Sequence, residues 1–300
     1  MGAVAAIGEG LFEIGLEGDE LDAPLRRGYG GDAANVLVMA ARAGAETRLC
    51  GRVGDDAFGR LLLGFWRRCG IDTRFVRTDD TAPTGIYVNE SAAAGHRFHY
   101  HRSGSAGSRL AAADVTDELF DGIDIVHLTG ITLSISASAA EAARTATDRA
   151  RATGARVSFA VNHRPALSPD GNALLAAARA ADVVFIADDE AERLLGEREP
   201  DRIAAVLGCG EKSELVVTSG RLGAAVLVAG EWSAAAAPAV EVVDAAGAGD
   251  ALAGCYLAER ARGTPPAEAL HVAVCAATLS CTRWGCAASY PDRAELDAFL

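Results

Sequence analysis

The sequence predicts an α/β fold: a mostly parallel sheet covered by helices on both faces, with a small β appendage drawn from N-terminal segments. Three observations lead there. From Asp124 onward, short apolar strands alternate with helices rich in alanine and arginine. Earlier, two segments alternate in residue character around a small-residue turn, as the arms of a hairpin do. Finally, the chain has 300 residues, half of them apolar, with no internal repeat or low-complexity linker, which is enough for one large core.

Taken in order, the chain opens on a short apolar strand, Val4–Ile7, that ends at Gly8-Glu9. Residues 11–16 alternate and read as a second strand. Gly30-Gly31-Asp32-Ala-Ala-Asn35 leads into a helix over Val36–Ala43, closed by Gly44. Thr47–Val53 is a strand, and Asp56–Cys69 a helix with Gly70 as its stop. Thr84–Glu90 and His96–Arg102 flank Ala93-Ala-Gly95 as the hairpin. Ile125–Leu128, Val157–Val161, Val183–Ile186 and Leu215–Thr218 are the strands of the repeating part, and such βα repetition implies parallel neighbours. Val226–Ser233 reads as an antiparallel arm, and helices over about 265–283 and 292–300 close the chain.

Composition excludes several classes. Lys and Arg total 28 against 41 Asp and Glu, a formal net charge of −13. This argues against a nucleic-acid partner and for a soluble protein kept apart by self-repulsion, while local arginines can still hold an anionic substrate. There is no apolar run of membrane-span length and no signal-like n-region, so a cytoplasmic protein without membrane contact is expected. The seven cysteines form no CxxC pair, and no histidine near Cys275, Cys281 and Cys286 supplies zinc-ligand spacing; buried free thiols are expected. Lys212 is the only lysine, and Gly210-Glu-Lys212-Ser213 does not fit the Walker loop. Gly8-Glu-Gly10 does not fit a dinucleotide fingerprint either.

The stretch richest in chemistry is Asp244-Ala-Ala-Gly247-Ala248-Gly249-Asp250, between the β-branched residues Val240, Val242 and Val243 and a helical run. A glycine-rich turn that opens a helix aims unpaired N–H groups and the positive end of the helix dipole at one spot, which attracts an anion. A carboxylate placed there, Asp250, is explained if it takes a proton from an attacking hydroxyl. The plainer alternative is an N-capping aspartate at a glycine turn.

Five motifs in order then resemble those of the ribokinase-like (PfkB) sugar kinases. Gly30-Gly31-Asp32-Ala-Ala-Asn35 is similar to the family's first motif, and Asp244–Asp250 to its second, D-[TP]-x-G-A-G-D. Between them, Arg52-Val-Gly54-Asp55-Asp56-Ala-Phe-Gly59 resembles the G-x-D-x-x-G turn, and Val217-Thr-Ser219-Gly220-Arg-Leu-Gly223 the nucleotide loop. Thr282-Arg-Trp-Gly285-Cys-Ala, with Pro291 further on, resembles the family's ending. The resemblance covers nearly the whole chain and implies a three-layer α/β/α ribokinase-like fold over residues 1–300. A β lid would be formed by about residues 11–29 and 73–103. It also implies ATP-dependent phosphorylation of a sugar hydroxyl with Mg²⁺ and, in parts of the family, a monovalent cation such as K⁺. Carried over by motif, Asp250 is the general base, and the N–H groups of Gly247, Ala248 and Gly249 receive the transferring phosphoryl group. Asn162, Ser219, Gly220, Gly223 and Asp244 join Gly247 and Gly249 on the nucleotide side, and Glu190 is the metal-linked acid.

For the substrate, Tyr100-His-Arg102-Ser-Gly-Ser105-Ala106 resembles a stretch of the 2-keto-3-deoxygluconate kinases, as does Asn162-His-Arg164-Pro. That subgroup implies Gly31, Tyr87, Tyr100, Arg102 and Arg164 as substrate contacts, with Asp32 and Asn35 of the first motif beside them. A sugar acid needs arginine, because a buried carboxylate without a partner is costly. Taken singly, Tyr100 reads equally well as lid packing and Arg102 as a solvated edge charge, while Glu190 reads equally as a first-turn helix acid. The chain departs from the pattern at Ala160, Ala187, Ala245 and Ser168-Pro169. The histidines form no metal set; His99 is expected opposite Tyr100, and His163 turned away from Asn162 and Arg164. The expected function is phosphorylation of a sugar acid, 2-keto-3-deoxygluconate foremost. The rivals are a fructose, ribose or nucleoside kinase of the same fold, and a sugar sensor without turnover. The apolar lid face suggests a homodimer.

Overall fold

In the computed structural model, residues 2–17, 25–92, 95–168, 171–209 and 213–300 are described. The turn residues Ala93 and Ala94, Pro169 and the Gly210-Glu-Lys212 segment lie outside them. The first half of the chain supplies β1 (Ala3–Ile7), β2 (Leu11–Glu17), β3 (Arg26–Gly30), α1 (Asp32–Arg42), β4 (Glu46–Gly54) and α2 (Ala57–Arg68). Then come β5 (Ile71–Asp72), β6 (Val76–Asp79), β7 (Ile86–Ala92) and β8 (Gly95–His101). The repeating half runs β9 (Ile125–Thr129), α3 (Gly130–Ser134), α4 (Ala137–Thr153), β10 (Arg156–Ala160), α5 (Asn172–Ala180), β11 (Val183–Ala187), α6 (Asp188–Leu195), α7 (Pro200–Leu207) and β12 (Glu214–Thr218). The end is β13 (Ala224–Val228), β14 (Glu231–Ala235), α8 (Ala248–Ala261), α9 (Pro266–Ser280) and α10 (Arg293–Phe299).

The large sheet has the order β14-β13-β12-β11-β10-β9-β1-β4-β5, with β6 also paired to β4; only β13 and β14 run antiparallel to their neighbours. The two-residue side-chain period divides its strands between two cores: Ala3, Ala5 and Ile7 of β1 face the layer holding α4, α5 and α7, while Val4 and Ala6 face α1, α8 and α9. This is the expected α/β/α sandwich. The hairpin β13–β14 turns through Ala229 and Gly230, both at positive φ, the backbone that a tight two-residue turn needs. Among the described residues no helix is long and apolar enough to cross a membrane.

A second sheet, β3-β2-β7-β8, stands apart from the first. The predicted hairpin arms pair antiparallel with Tyr87 opposite Tyr100. β3 lies at the end of the 11–29 stretch expected in the lid, although Arg26-Arg-Gly-Tyr-Gly lacks alternating apolar residues, whereas β6 belongs to the large sheet rather than the small one. Asp56 ties the two sheets together. It caps α2 through Gly59 N (2.8 Å) and accepts from the amide (2.7 Å) and hydroxyl (2.8 Å) of Thr84, just before β7. α1 and α8 cross at Gly254, where an added Cβ would sit 2.2 Å from Val36 O and 2.8 Å from Met39 Cβ. Only glycine lets the helices approach that closely.

Candidate active site

The glycine-rich turn is locked from beneath. Gly247 has φ 78° and begins α8; a Cβ there would lie 2.1 Å from Cys286 Sγ and 2.7 Å from Tyr290 Oη. Tyr290 Oη donates to Gly247 O (2.9 Å). Asp244, almost fully buried, accepts from Ala246 N (2.9 Å) and Gly285 N (3.0 Å). It braces the turn and lines neither neighbouring cavity. Ala248 N donates to Ala245 O (3.2 Å), so this amide closes the turn instead of pointing outward as the motif implied. Gly249 has nothing within 4 Å of its would-be Cβ and faces open space.

Asp250 sits in the first turn of α8. Asn35 Nδ2, from α1, donates both to Asp250 Oδ2 (2.8 Å) and to Cys286 Sγ (3.1 Å). Loss of hydration pushes the Asp250 carboxyl up to about 7, with the Asp32 charge adding and the Asn35 hydrogen bond and Arg164 charge opposing. A carboxyl poised near neutrality suits proton abstraction at physiological pH.

In front of the turn lies a cleft of about 630 Å³. The α1 end gives it Gly31, Asp32 and Asn35; the small sheet gives Tyr87, Tyr100 and Arg102; the segment after β10 gives Asn162 and Arg164. All seven sequence-predicted substrate residues therefore converge here. Gly31 is held at φ 101°, where a Cβ would meet Glu9 O at 2.4 Å. Tyr87 is buried and Tyr100 is 45% exposed; their rings lie 5.7 Å apart. Arg102 stacks its guanidinium 4.7 Å from the Tyr100 ring centre. The exposed Arg164 donates to His163 O (3.2 Å). His99 pairs with Glu90 (2.9 Å) and His163 donates to Ser168 O (2.7 Å); neither lines the cleft.

Two cleft residues escaped the sequence reading. Glu9, at the end of β1, is 1% exposed and ion-pairs with Arg102 at 2.5 Å. Its carboxyl is raised to about 7 by burial, against the Arg102 charge. The signal was a charged residue directly after a fully buried strand, at the carboxyl edge where open α/β sheets bind ligands. Cys286 is the buried free thiol expected, but it lies at the cleft floor against Asn35, a position the sequence did not indicate.

Behind the turn is a second cavity of about 660 Å³, which shares Ala245, Ala248 and Gly249 with the cleft. Gly220 and Gly223 line it together with the apolar Val240, Val242, Leu252 and Val274. Three expectations change here. Asn162 is not on this side: β10 ends at Ala160, Asn162 takes φ 39°, and its amide donates to Asp32 Oδ2 in the cleft (2.9 Å). Ser219 does not line the cavity but closes the loop, its amide donating to Gly223 O (2.8 Å). Glu190 lines neither cavity; its carboxylate accepts from His163 N and from Ala187 N (3.4 Å), so it works as a backbone brace. Among the described residues no group of three or more His, Cys, Asp or Glu could hold a metal ion.

A cleft and a cavity that share one glycine-rich wall, with a carboxylate at the junction, describe an enzyme that moves a group between two bound molecules. The chain belongs to the pfkB family of carbohydrate kinases, whose pattern matches residues 10–293. It is 37% identical over 295 residues to a 2-dehydro-3-deoxygluconokinase of Thermoproteus tenax, covering 92% of this chain and 87% of that one. It is 30% identical over 281 residues to fructokinase-1 of Oryza sativa subsp. japonica, covering 89% and 86%. Its fold matches a putative ribokinase II from E. coli in complex with ATP and Mg²⁺, with a TM-score of 0.90, 26% identity and coverage of 100% of this chain and 99% of that one.

Proposed function

We propose that this protein is an ATP-dependent kinase that phosphorylates the terminal primary hydroxyl of a sugar acid, converting 2-keto-3-deoxygluconate (2-dehydro-3-deoxygluconate) to its 6-phosphate. The observation that carries the reading is the pairing, in one cleft, of Asp250 beside the shared glycine wall with Arg102 and Arg164. The sugar carboxylate would meet the two guanidiniums, whose planar donors suit a carboxylate. The hydroxyl at the other end of the sugar would then reach Asp250, which Asn35 holds in orientation.

The rear cavity fits a nucleotide: its apolar wall suits a flat base, and its one side is the glycine turn where phosphates bind. ATP supplies the phosphoryl group. Asp250 takes the hydroxyl proton, while the Gly249 side of the α8 N-terminus faces the charge that develops on the transferring group. No protein cage for Mg²⁺ exists among the described residues, so the metal would arrive on the nucleotide phosphates with its waters, as Mg²⁺ commonly does. The small sheet would act as the lid that excludes water from the cleft.

The test is ADP release measured across 2-keto-3-deoxygluconate, fructose, ribose and a nucleoside. The reading requires the sugar acid to give the highest kcat/KM. A higher value for fructose would move the chain to the activity named for its rice relative.

A further inference from the structure

The cleft holds three carboxylates, Glu9, Asp32 and Asp250, against two guanidiniums, Arg102 and Arg164. An anionic sugar would add a fourth negative charge. Arg102 already gives its Nη1 donor to Glu9, so an anionic sugar must compete with Glu9 for that side of the guanidinium. Glu9 is buried and Arg102 largely so, with side chains 1% and 11% exposed. Among the described residues Glu9 Oε2 has no hydrogen-bond partner. Gly107 packs against the stem of Glu9, where an added Cβ would lie 2.8 Å from Glu9 Cβ. The pair is therefore a half-satisfied buried ion pair, in which Glu9 must be protonated once Arg102 turns to another anion.

We propose that Glu9 sets the specificity of the cleft: it holds the Arg102 guanidinium when the cleft is empty and yields it to the carboxylate of an anionic sugar, taking up one proton from solvent in the exchange. The inference rests on the sugar-acid reading above. The proton goes onto the unpaired oxygen of Glu9, the guanidinium keeps its charge, and the new pair is Arg102 with the substrate. Net charge in the cleft is then unchanged by binding. The groups facing Glu9 do not all act in one direction. Asp32, at the start of α1, raises the carboxyl and favours the proton; Arg102 opposes it only while it is paired with Glu9; the Tyr100 phenol stays neutral, its own pKa raised by burial. A neutral sugar gives Glu9 no reason to release Arg102 and takes up no proton.

Titration calorimetry of the full chain with 2-keto-3-deoxygluconate, in two buffers of different ionisation enthalpy at about pH 8, reads the proton directly; uptake near one per site is expected. Asp250 titrates in the same range, so the comparison is with Glu9→Gln, in which the uptake should vanish. In steady-state assays the wild-type KM for the acid should rise about tenfold per pH unit above about 7, and the Glu9→Gln KM should stay flat. Binding of the acid without proton uptake, or a Glu9→Gln KM that keeps the wild-type pH dependence, overturns this inference alone. Failure of the acid to bind, with turnover of fructose, overturns the sugar-acid reading and this one with it. Absence of uptake in the wild type overturns the inference whether or not the variant folds, while an observed uptake is assigned to Glu9 by its loss in Glu9→Gln.

Discussion

The cleft in front of the glycine turn gathers its charged side chains from five separate stretches of the chain, from Glu9 to Asp250, whereas the cavity behind it is lined entirely from the stretch 218–281. The front is built of carboxylates, guanidiniums and phenols held by long-range contacts. The rear is built of glycines and small apolar residues held by local turns. Such a division suits a kinase. Under the proposed function the nucleotide needs a shape, which backbone can supply. The sugar differs between members of the family and needs charge and hydroxyl recognition, which side chains supply.

The sharpest way to break this picture is at the junction. Asp250→Asn should lower kcat by about 10²- to 10⁴-fold or more. The same change should leave the melting temperature at about pH 8 unchanged or higher, and thermal unfolding followed by circular dichroism checks both directions at once. The sign follows from linkage. The Asp250 carboxyl is raised to about 7 in the fold, so the folded state binds the extra proton. Stability from this group is present at low pH and is lost as pH rises through about 7; an amide does not lose it. A large fall in melting temperature would make Asp250 a structural cap instead. For the same reason the wild-type kcat/KM for a neutral sugar should rise about tenfold per pH unit up to a midpoint near 7, because only the ionised carboxylate accepts the proton. A midpoint below 5 would mean that the carboxyl is better hydrated than its surroundings indicate.

The next largest effect falls on the front alone. Removing the Arg102 guanidinium in Arg102→Ala should raise KM for the sugar acid about 10- to 100-fold, the worth of a charge-assisted hydrogen bond, with the ATP KM unchanged. That variant also leaves Glu9 buried without its partner, so the fold should lose stability as the pH rises and Glu9 is driven to ionise. Arg102→Ala combined with Glu9→Gln should recover stability without recovering affinity, which separates the two effects. Smallest is a change confined to the rear. Val242→Asp, at a position 62% exposed on the cavity rim, should raise the ATP KM about three- to tenfold and leave the sugar KM alone. If both constants moved, the two halves would not be independent.

The same division explains what could be read from the sequence. Gly31, Gly247 and Gly223 announce themselves because positive φ and close backbone approach demand glycine whatever surrounds them. The strand–helix alternation and the Tyr87–Tyr100 hairpin register are legible because side-chain period is a local property. The Glu9–Arg102 pair is not legible, since its partners are 93 positions apart and meet only after the small sheet docks on the β1 edge. Asp244, Asn162 and Glu190 were assigned to ligands because an acid or amide in a motif looks the same whether it holds a ligand or a backbone amide. Only the geometry of Ala246, Gly285, Asp32, His163 and Ala187 around them tells the difference.

The glycine contact between α1 and α8 has a mechanical consequence. One helix begins at the residues that line the sugar side, the other at the turn that divides the two cavities, and Gly254 lets their backbones touch with no side chain between them to slide or repack. Asn35 adds a hydrogen bond across the same seam. Asp250, Asn35 and the dividing wall are thus tied into one seam, and under the proposed function admitting a sugar would be left to the four-stranded sheet that carries the tyrosines and Arg102.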